Sequence, residues 1–176
     1  MKLLAFAASS SKQSINKKLV TYAAGLVENA QAEIVDLNNY EIPMFSEDKE
    51  KELGQPDLAR KFLSKIGDSD AVIISFAEHN GSYSVAYKNL FDWCSRISRD
   101  VFQGKPLVLL STSPGRGGAS NVLEMAHKSA KHFAGDVKAT LSIPSFYDNF
   151  DLETGRITNR EIQEKLTNVV QYLSDS

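Results

Sequence analysis

The chain has 176 residues, 42% of them hydrophobic, which suits one sizeable core and strains a two-domain reading. A formal charge of -2 with no basic stripe leaves no electrostatic footprint for nucleic acid, and the opening apolar run, Leu3 to Ala8, is far too short for a membrane span or a signal. A single cysteine, Cys94, excludes a disulfide framework, so the expectation is a single-domain cytoplasmic protein with no nucleic-acid or membrane partner.

Apolar stretches of strand length alternate with longer stretches of helical period from one end to the other, the pattern of an α/β fold. A first strand is predicted over Lys2 to Ala8. Ile15, Leu19, Ala23, Leu26 and Val27 then mark one face of a helix. A second strand follows over Ala32 to Leu37. The stretch from Asn38 to Gln55 carries Pro43 and Gly54 and little periodicity; a loop of that length is expected to flank a functional site. Pro56 and Asp57 suit the first turn of a helix over Leu58, Phe62 and Ile66. The third strand, Asp70 to Ala77, and the fourth, Pro106 to Thr112, are almost continuously apolar, as in a parallel sheet covered on both faces. Between them Ala86, Leu90, Trp93, Cys94 and Ile97 form a helical stripe. A further helix is predicted from about Ala119 to Ala134 and a fifth strand over Val137 to Ile143. Thr158 with Glu161 has the spacing of a capping box for a last helix, whose stripe is Ile162, Leu166, Val169, Val170 and Leu173. Five strands and five helices in this order fit a flavodoxin-like doubly wound parallel sheet, order 2-1-3-4-5, with helices on both faces.

In such sheets ligands sit beyond the carboxyl ends of the strands, where the winding reverses, and three loops meet that condition. The first, "ASSSKQSIN" over residues 8 to 16, leads through Ile15 into a helix N-terminus that favours an anion. Ser9, Ser11, Ser14 and the amide of Asn16 are candidate neutral donors to a phosphate monoester, with Lys12 a candidate charge. A helix cap accounts for one of these hydroxyls and leaves the others unexplained. The second loop, "EHNGSYS" over residues 78 to 84, centres on the turn signal Asn80-Gly81, whose amides are candidates to meet a planar heterocycle; a bare turn is the alternative. The third, "STSPGRGGAS" over residues 111 to 120, holds glycines that permit close approach of backbone to a ligand, and a second helix N-terminus; a flexible loop is the alternative. No P-loop pattern and no nucleophile elbow occur, His79, His127 and His132 lack ligand spacing, and Cys94 on its apolar stripe reads as a buried inert thiol.

Together the three loops resemble the NADPH-dependent FMN reductase family, which includes quinone, chromate and azo-dye reductases. Its motif G-S-x-R-x-x-S-x-N is met at Ser9, Ser14 and Asn16, with Ala8 in place of the glycine and Ser11 in place of the arginine. Its motif P-E-Y-N-G-S, followed by L-K-N and D-W, is met at Glu78, Asn80, Gly81, Ser82, Lys88, Asn89, Asp92 and Trp93, with Ala77, His79 and Tyr87 departing. "GKPLVLLSTSPGRGG" is similar to the strand-four motif, and "DLNNYEIPMFSED" to the segment after strand two. The resemblance implies FMN held by its phosphate at loop one (Ser9, Ser11, Lys12, Ser14, Ile15, Asn16). The isoalloxazine edge would lie against Glu78, His79, Asn80, Gly81 and Ser82 of loop two and Ser113, Gly115, Arg116, Gly117 and Gly118 of loop three. It implies NADPH or NADH as co-substrate, a quinone-like or other small electron acceptor, and a homodimer or homotetramer. Hydride passage from nicotinamide to flavin and on to the acceptor needs no general acid or base, and none is assigned. Arg116 is a candidate for NADPH phosphates or a solvated surface group. A flavodoxin-type electron carrier and a non-catalytic flavin-binding regulatory protein remain as alternatives.

Overall fold

In the computed structural model, which describes residues 1–174, the chain runs β1 (Lys2–Ala8), α1 (Ile15–Gly25), β2 (Gln31–Val35), α2 (Glu47–Leu53), α3 (Asp57–Asp68), β3 (Ala71–Phe76) and α4 (Val85–Ile97). It continues through β4 (Pro106–Thr112), α5 (Ser120–Ala130), β5 (Asp136–Ile143), the single turn α6 (Phe146–Asn149), a small hairpin of β6 (Phe150–Asp151) and β7 (Arg156–Ile157), and α7 (Arg160–Gln171). β1 to β5 form one sheet in the order β2-β1-β3-β4-β5, all pairs parallel. The expected flavodoxin-like winding is therefore present.

Strand alternation sorts the core into two layers. Leu4, Phe6, Val72, Ile74, Phe76, Leu107 and Leu109 point to one side and pack with α3, α4 and α5. Leu3, Ala5, Ile73, Val108 and Leu110 point to the other and pack with α1 and α7. The chain places α1 on one face and α3 on the other, so the winding reverses between β1 and β3, and the carboxyl ends of β1, β3 and β4 open a crevice at the reversal.

Several expectations shift in detail. β2 stops at Val35, because Asp36 caps a 3-10 turn over Leu37–Tyr40 by accepting the N–H of Asn38. Pro56 stands at the N-cap of α3 and Asp57 begins the helix. The helix expected to reach Ala134 changes to a 3-10 turn over Lys131–Phe133. The capping box at Thr158 is displaced by one residue: the Asn159 side chain caps α7, accepting the N–H of Ile162 at 3.2 Å.

The segment from Asn38 to Gln55 is corrected most. It contains α2 and is stapled to α4: Phe45 N–H donates to Asn89 Oδ1 at 2.8 Å, Asn89 Nδ2 donates to Ile42 and Pro43 carbonyls, and Trp93 Nε1 donates to Pro43 O at 2.7 Å. These bonds hold it along α4, and none of its residues is among those lining the crevice.

Candidate functional site

Loop one is shaped by its own serines. Ser9 Oγ accepts the N–H of Ser11 at 3.2 Å, Ser14 N–H closes a turn on Ser11 O at 3.1 Å, and Ser14 Oγ caps α1 by accepting the N–H of Lys17 at 3.2 Å. Ser84 Oγ ties the loop down from the side by donating to Ala8 O at 2.8 Å. Among the described residues no acceptor serves the N–H groups of Lys12, Gln13, Ile15 or Asn16, so the start of α1 is left as a cluster of free donors with the positive end of the helix dipole behind it.

The Asn16 side chain does something the sequence did not suggest. It is 3% exposed, and its Oδ1 accepts from Ser75 Oγ at 2.7 Å and from the backbone N–H of Thr112 at 3.1 Å, while Nδ2 donates to Thr112 O at 3.2 Å. The oxygen and one of the two N–H groups of this amide are thereby committed to the sheet, bracketing α1 to β3 and β4.

Loop two is a tight turn. Asn80 and Gly81 both have positive φ, 52° and 78°, and His79 and Ser82 exchange backbone hydrogen bonds of 2.9 and 3.1 Å across it. The turn holds His79 exposed at the crevice rim. Glu78 reaches sideways: its Oε2 accepts the Val122 N–H at 2.9 Å and its Oε1 the Asn121 side-chain amide at 3.4 Å. The second helix N-terminus, proposed from sequence as an anion site, is thus occupied by the protein's own carboxylate, which compensates for Ala119 standing at the cap with no side-chain acceptor.

Loop three is anchored at its end and open at its tip. Gly118 has φ +58°, and a Cβ there would overlap Ser142 Oγ and lie 3.0 and 3.1 Å from the Ile143 carbonyl carbon and oxygen, so this glycine serves packing against β5. Its own carbonyl accepts from Ser111 Oγ at 2.7 Å and Ser142 Oγ at 2.9 Å. A Cβ on Gly117 would meet nothing within 4 Å, and Arg116 is exposed.

The three loops enclose a cleft of about 260 Å³ at the switch point. From loop one it is lined by Ser9, Ser11, Ser14, Ile15 and Asn16; from loop two by Glu78 and His79; from loop three by Ser113. Lys12 lines an adjoining groove instead. Asn80, Gly81, Ser82, Gly115, Arg116, Gly117 and Gly118 support or border the loops and do not line the cleft. Gln13, Ala77, Thr112, Pro114 and Tyr147 line it without having been singled out. Tyr147, 58% exposed, comes from α6, directly beyond the carboxyl end of β5; counting every segment beyond a strand's carboxyl end, and not only the three near the reversal, would have found it.

A second cavity, about 230 Å³, lies between α4 and α5 against Phe76, Tyr83, Tyr87 and Phe91. Its polar groups engage each other, Lys88 with Asp92 at 2.6 Å and Tyr83 Oη with Ser129 Oγ at 3.3 Å, so no free donors converge there. Burial pushes the Tyr87 phenol and the Cys94 thiol of this layer up, the thiol to about 12, which keeps both protonated and inert.

A donor-rich cleft at a β1/β3 switch point, whose one carboxylate, Glu78, is turned to the start of α5, suits a planar ligand with an anionic tail. The model of the NADPH-dependent FMN reductase family matches residues 1–148. An NAD(P)H-dependent FMN reductase of Pseudomonas aeruginosa is 29% identical over 178 residues, covering 98% of this chain and 93% of its own. An NADPH:quinone oxidoreductase of Arabidopsis thaliana is 27% identical, covering 98% and 90%. The structure of the flavoenzyme NAD(P)H:(acceptor) oxidoreductase FerB of Paracoccus denitrificans superposes with a TM-score of 0.82 at 23% identity, over 99% of this chain and 95% of that one, and shares the fold. With the family pattern running through all three cleft loops, this chain belongs to the NADPH-dependent FMN reductase family.

Proposed function

We propose that this protein is an NAD(P)H-dependent flavin oxidoreductase that passes electrons through FMN to a quinone-like or other small acceptor. The observation that carries the reading is the convergence of three strand-end loops on one cleft whose floor is the free-donor start of α1. FMN, when bound, supplies the two-electron chemistry between nicotinamide and acceptor.

The chain's residues bind and orient. The amides of Gln13, Ile15 and Asn16, with the hydroxyls of Ser9, Ser11 and Ser14, receive the phosphate; the fit is one of hydrogen bonding and dipole, because Ser11 stands where the family pattern has arginine. Asn16 positions that floor from below. Glu78 ties loop two to α5, and His79 of loop two and Ser113 of loop three line the same cleft, where the flat ring would lie. In this reading the enzyme works in the cytoplasm, where a lone thiol stays reduced, as a homodimer or homotetramer; light scattering on the eluting protein tests the assembly.

Anaerobic stopped-flow tests the activity. Protein titrated with FMN should bind it and the visible absorbance of the oxidised flavin should bleach on mixing with NADPH or NADH, with colour restored by a benzoquinone. An oxidised spectrum that persists would favour the flavodoxin-type carrier, and no flavin binding at all would defeat both readings.

A further inference from the structure

Tyr147 lines the cleft from the single turn α6, beyond the carboxyl end of β5. Its side chain is largely exposed, and among the described residues its hydroxyl has no hydrogen-bond partner. Resting on the oxidoreductase reading above, we propose that Tyr147 is a ligand of the FMN phosphate, its hydroxyl donating to an oxygen that the start of α1 leaves open.

The first argument is charge. A phosphate monoester brings close to two negative charges and three acceptor oxygens at neutral pH. Among the described residues no lysine or arginine lines the cleft: Lys12 lines the adjoining groove, Lys17 is paired with Asp36 at 2.5 Å, and Ser11 stands where the family pattern has arginine. The cleft's one carboxylate, Glu78, is turned to the start of α5. Neutral donors must therefore hold the whole anion. Ser113 Oγ is not among them, since it donates to Gly115 O at 3.2 Å. The Tyr147 hydroxyl is uncommitted, and an O–H donating to an anionic oxygen makes a hydrogen bond roughly twice as strong as a neutral one.

The second is the side of the crevice. Phe146 and Phe150, which flank Tyr147 in the chain, are buried in the layer that holds α1, together with Leu19 and Val20. Their rings stack with centroids 4.7 Å apart, and Phe150 meets Tyr22 of α1 edge to face at 6.2 Å. Tyr147 thus enters the cleft from the flank of α1, whose first turn carries the free N–H groups, while Glu78 ties loop two to α5 on the opposite layer. A donor on the α1 flank meets the anionic tail of the ligand.

The third is a fixed backbone. Ser145 N–H donates to Gly115 O at 2.9 Å and Phe146 N–H to Ser113 O at 3.0 Å, so α6 is clamped to loop three. Asn149 Nδ2 closes the turn from the other end, on the carbonyls of Pro144 at 3.0 Å and Ser145 at 3.2 Å. Within this clamp Ser145 holds a left-handed φ of 47° with no side-chain cap, a strained conformation that the surrounding bonds maintain. That turn delivers Tyr147 to the cleft.

Fluorescence titration with FMN and with riboflavin tests the assignment in the parent, Tyr147→Phe and Tyr147→Ala. Tyr147→Phe keeps the ring at an exposed position, so its urea midpoint should equal the parent's. It should weaken FMN at least about tenfold while riboflavin changes less than about twofold. Tyr147→Ala should weaken FMN at least as much. FMN and riboflavin weakened alike by Tyr147→Phe would place the side chain against the ring and overturn the assignment. FMN bound equally by the parent and Tyr147→Phe removes the assignment alone, whereas a parent that binds neither flavin removes the oxidoreductase reading and the assignment with it.

Discussion

Asn16 looks like a ligand in the sequence and behaves as a bracket in the fold. Removing its amide leaves the buried Thr112 N–H and the Ser75 hydroxyl without partners, a loss on the order of 3 kcal/mol. Asn16→Ala should therefore lower the urea midpoint and weaken FMN and riboflavin alike, since the whole floor of the cleft loosens; selective loss of FMN would return the residue to the phosphate. The neighbouring glycines of loop three separate in the same way. Gly118→Ala forces a left-handed backbone on alanine and pushes a methyl into Ser142 and Ile143, costing about 3 kcal/mol or more, while Gly117→Ala, with open space around it, should stay within about 0.5 kcal/mol of the parent. Thermal denaturation of the two variants side by side checks this.

At the scale of elements, the helix ends carry the information. Glu78 belongs to loop two by sequence and to α5 by contact. Glu78→Ala should cost about 1 kcal/mol and speed amide exchange at Val122, because an anionic acceptor at a helix N-terminus is lost. Exchange confined to loop two would contradict that role. On α4, the apolar stripe legible in the sequence is the buried side: Trp93 and Cys94 are both fully enclosed. With its thiol pushed up to about 12 by burial, Cys94 should react with a disulfide reagent only as fast as the chain unfolds, and rapid labelling of the native protein at neutral pH would refute this. The residues Asn89 and Trp93, which matched the family pattern on the same helix, turn out to staple the segment after β2. A pattern match identified them; only packing shows what they hold.

Across the whole molecule, Lys17 and Asp36 join α1 to the end of β2. The Lys17 hydrogen bond, followed by the Asn38 N–H, holds the Asp36 carboxyl below its ordinary value of 3.8. A lowered folded value means the stabilisation is present above the unfolded value and disappears as pH falls through the folded one. Both side chains are partly exposed, so the pair contributes less than about 1 kcal/mol. Urea unfolding between about pH 2 and 6 should show Asp36→Asn losing that part of the acid dependence; an unchanged profile would mean the pair is screened to nothing.

The five strands of the sheet, the five long helices and the three loops at its carboxyl edge were written in short-range features: apolar runs, a 3.6-residue period, an Asn-Gly turn, serines ahead of a helix; α2, α6 and the β6–β7 hairpin were not, and the strand order followed from the winding rules of such folds. Those features govern a few neighbouring residues, so they carry over directly into β1, β4 and the stripe of α4. Which donors remain free for a ligand was not written there. Asn16 finds its partner 96 residues away and Glu78 finds its own 44 away, across a strand register that exists only once the sheet has closed. A polar side chain in a loop has one set of hydrogen bonds to make, and folding decided whether the sheet, a helix end or the open cleft received them.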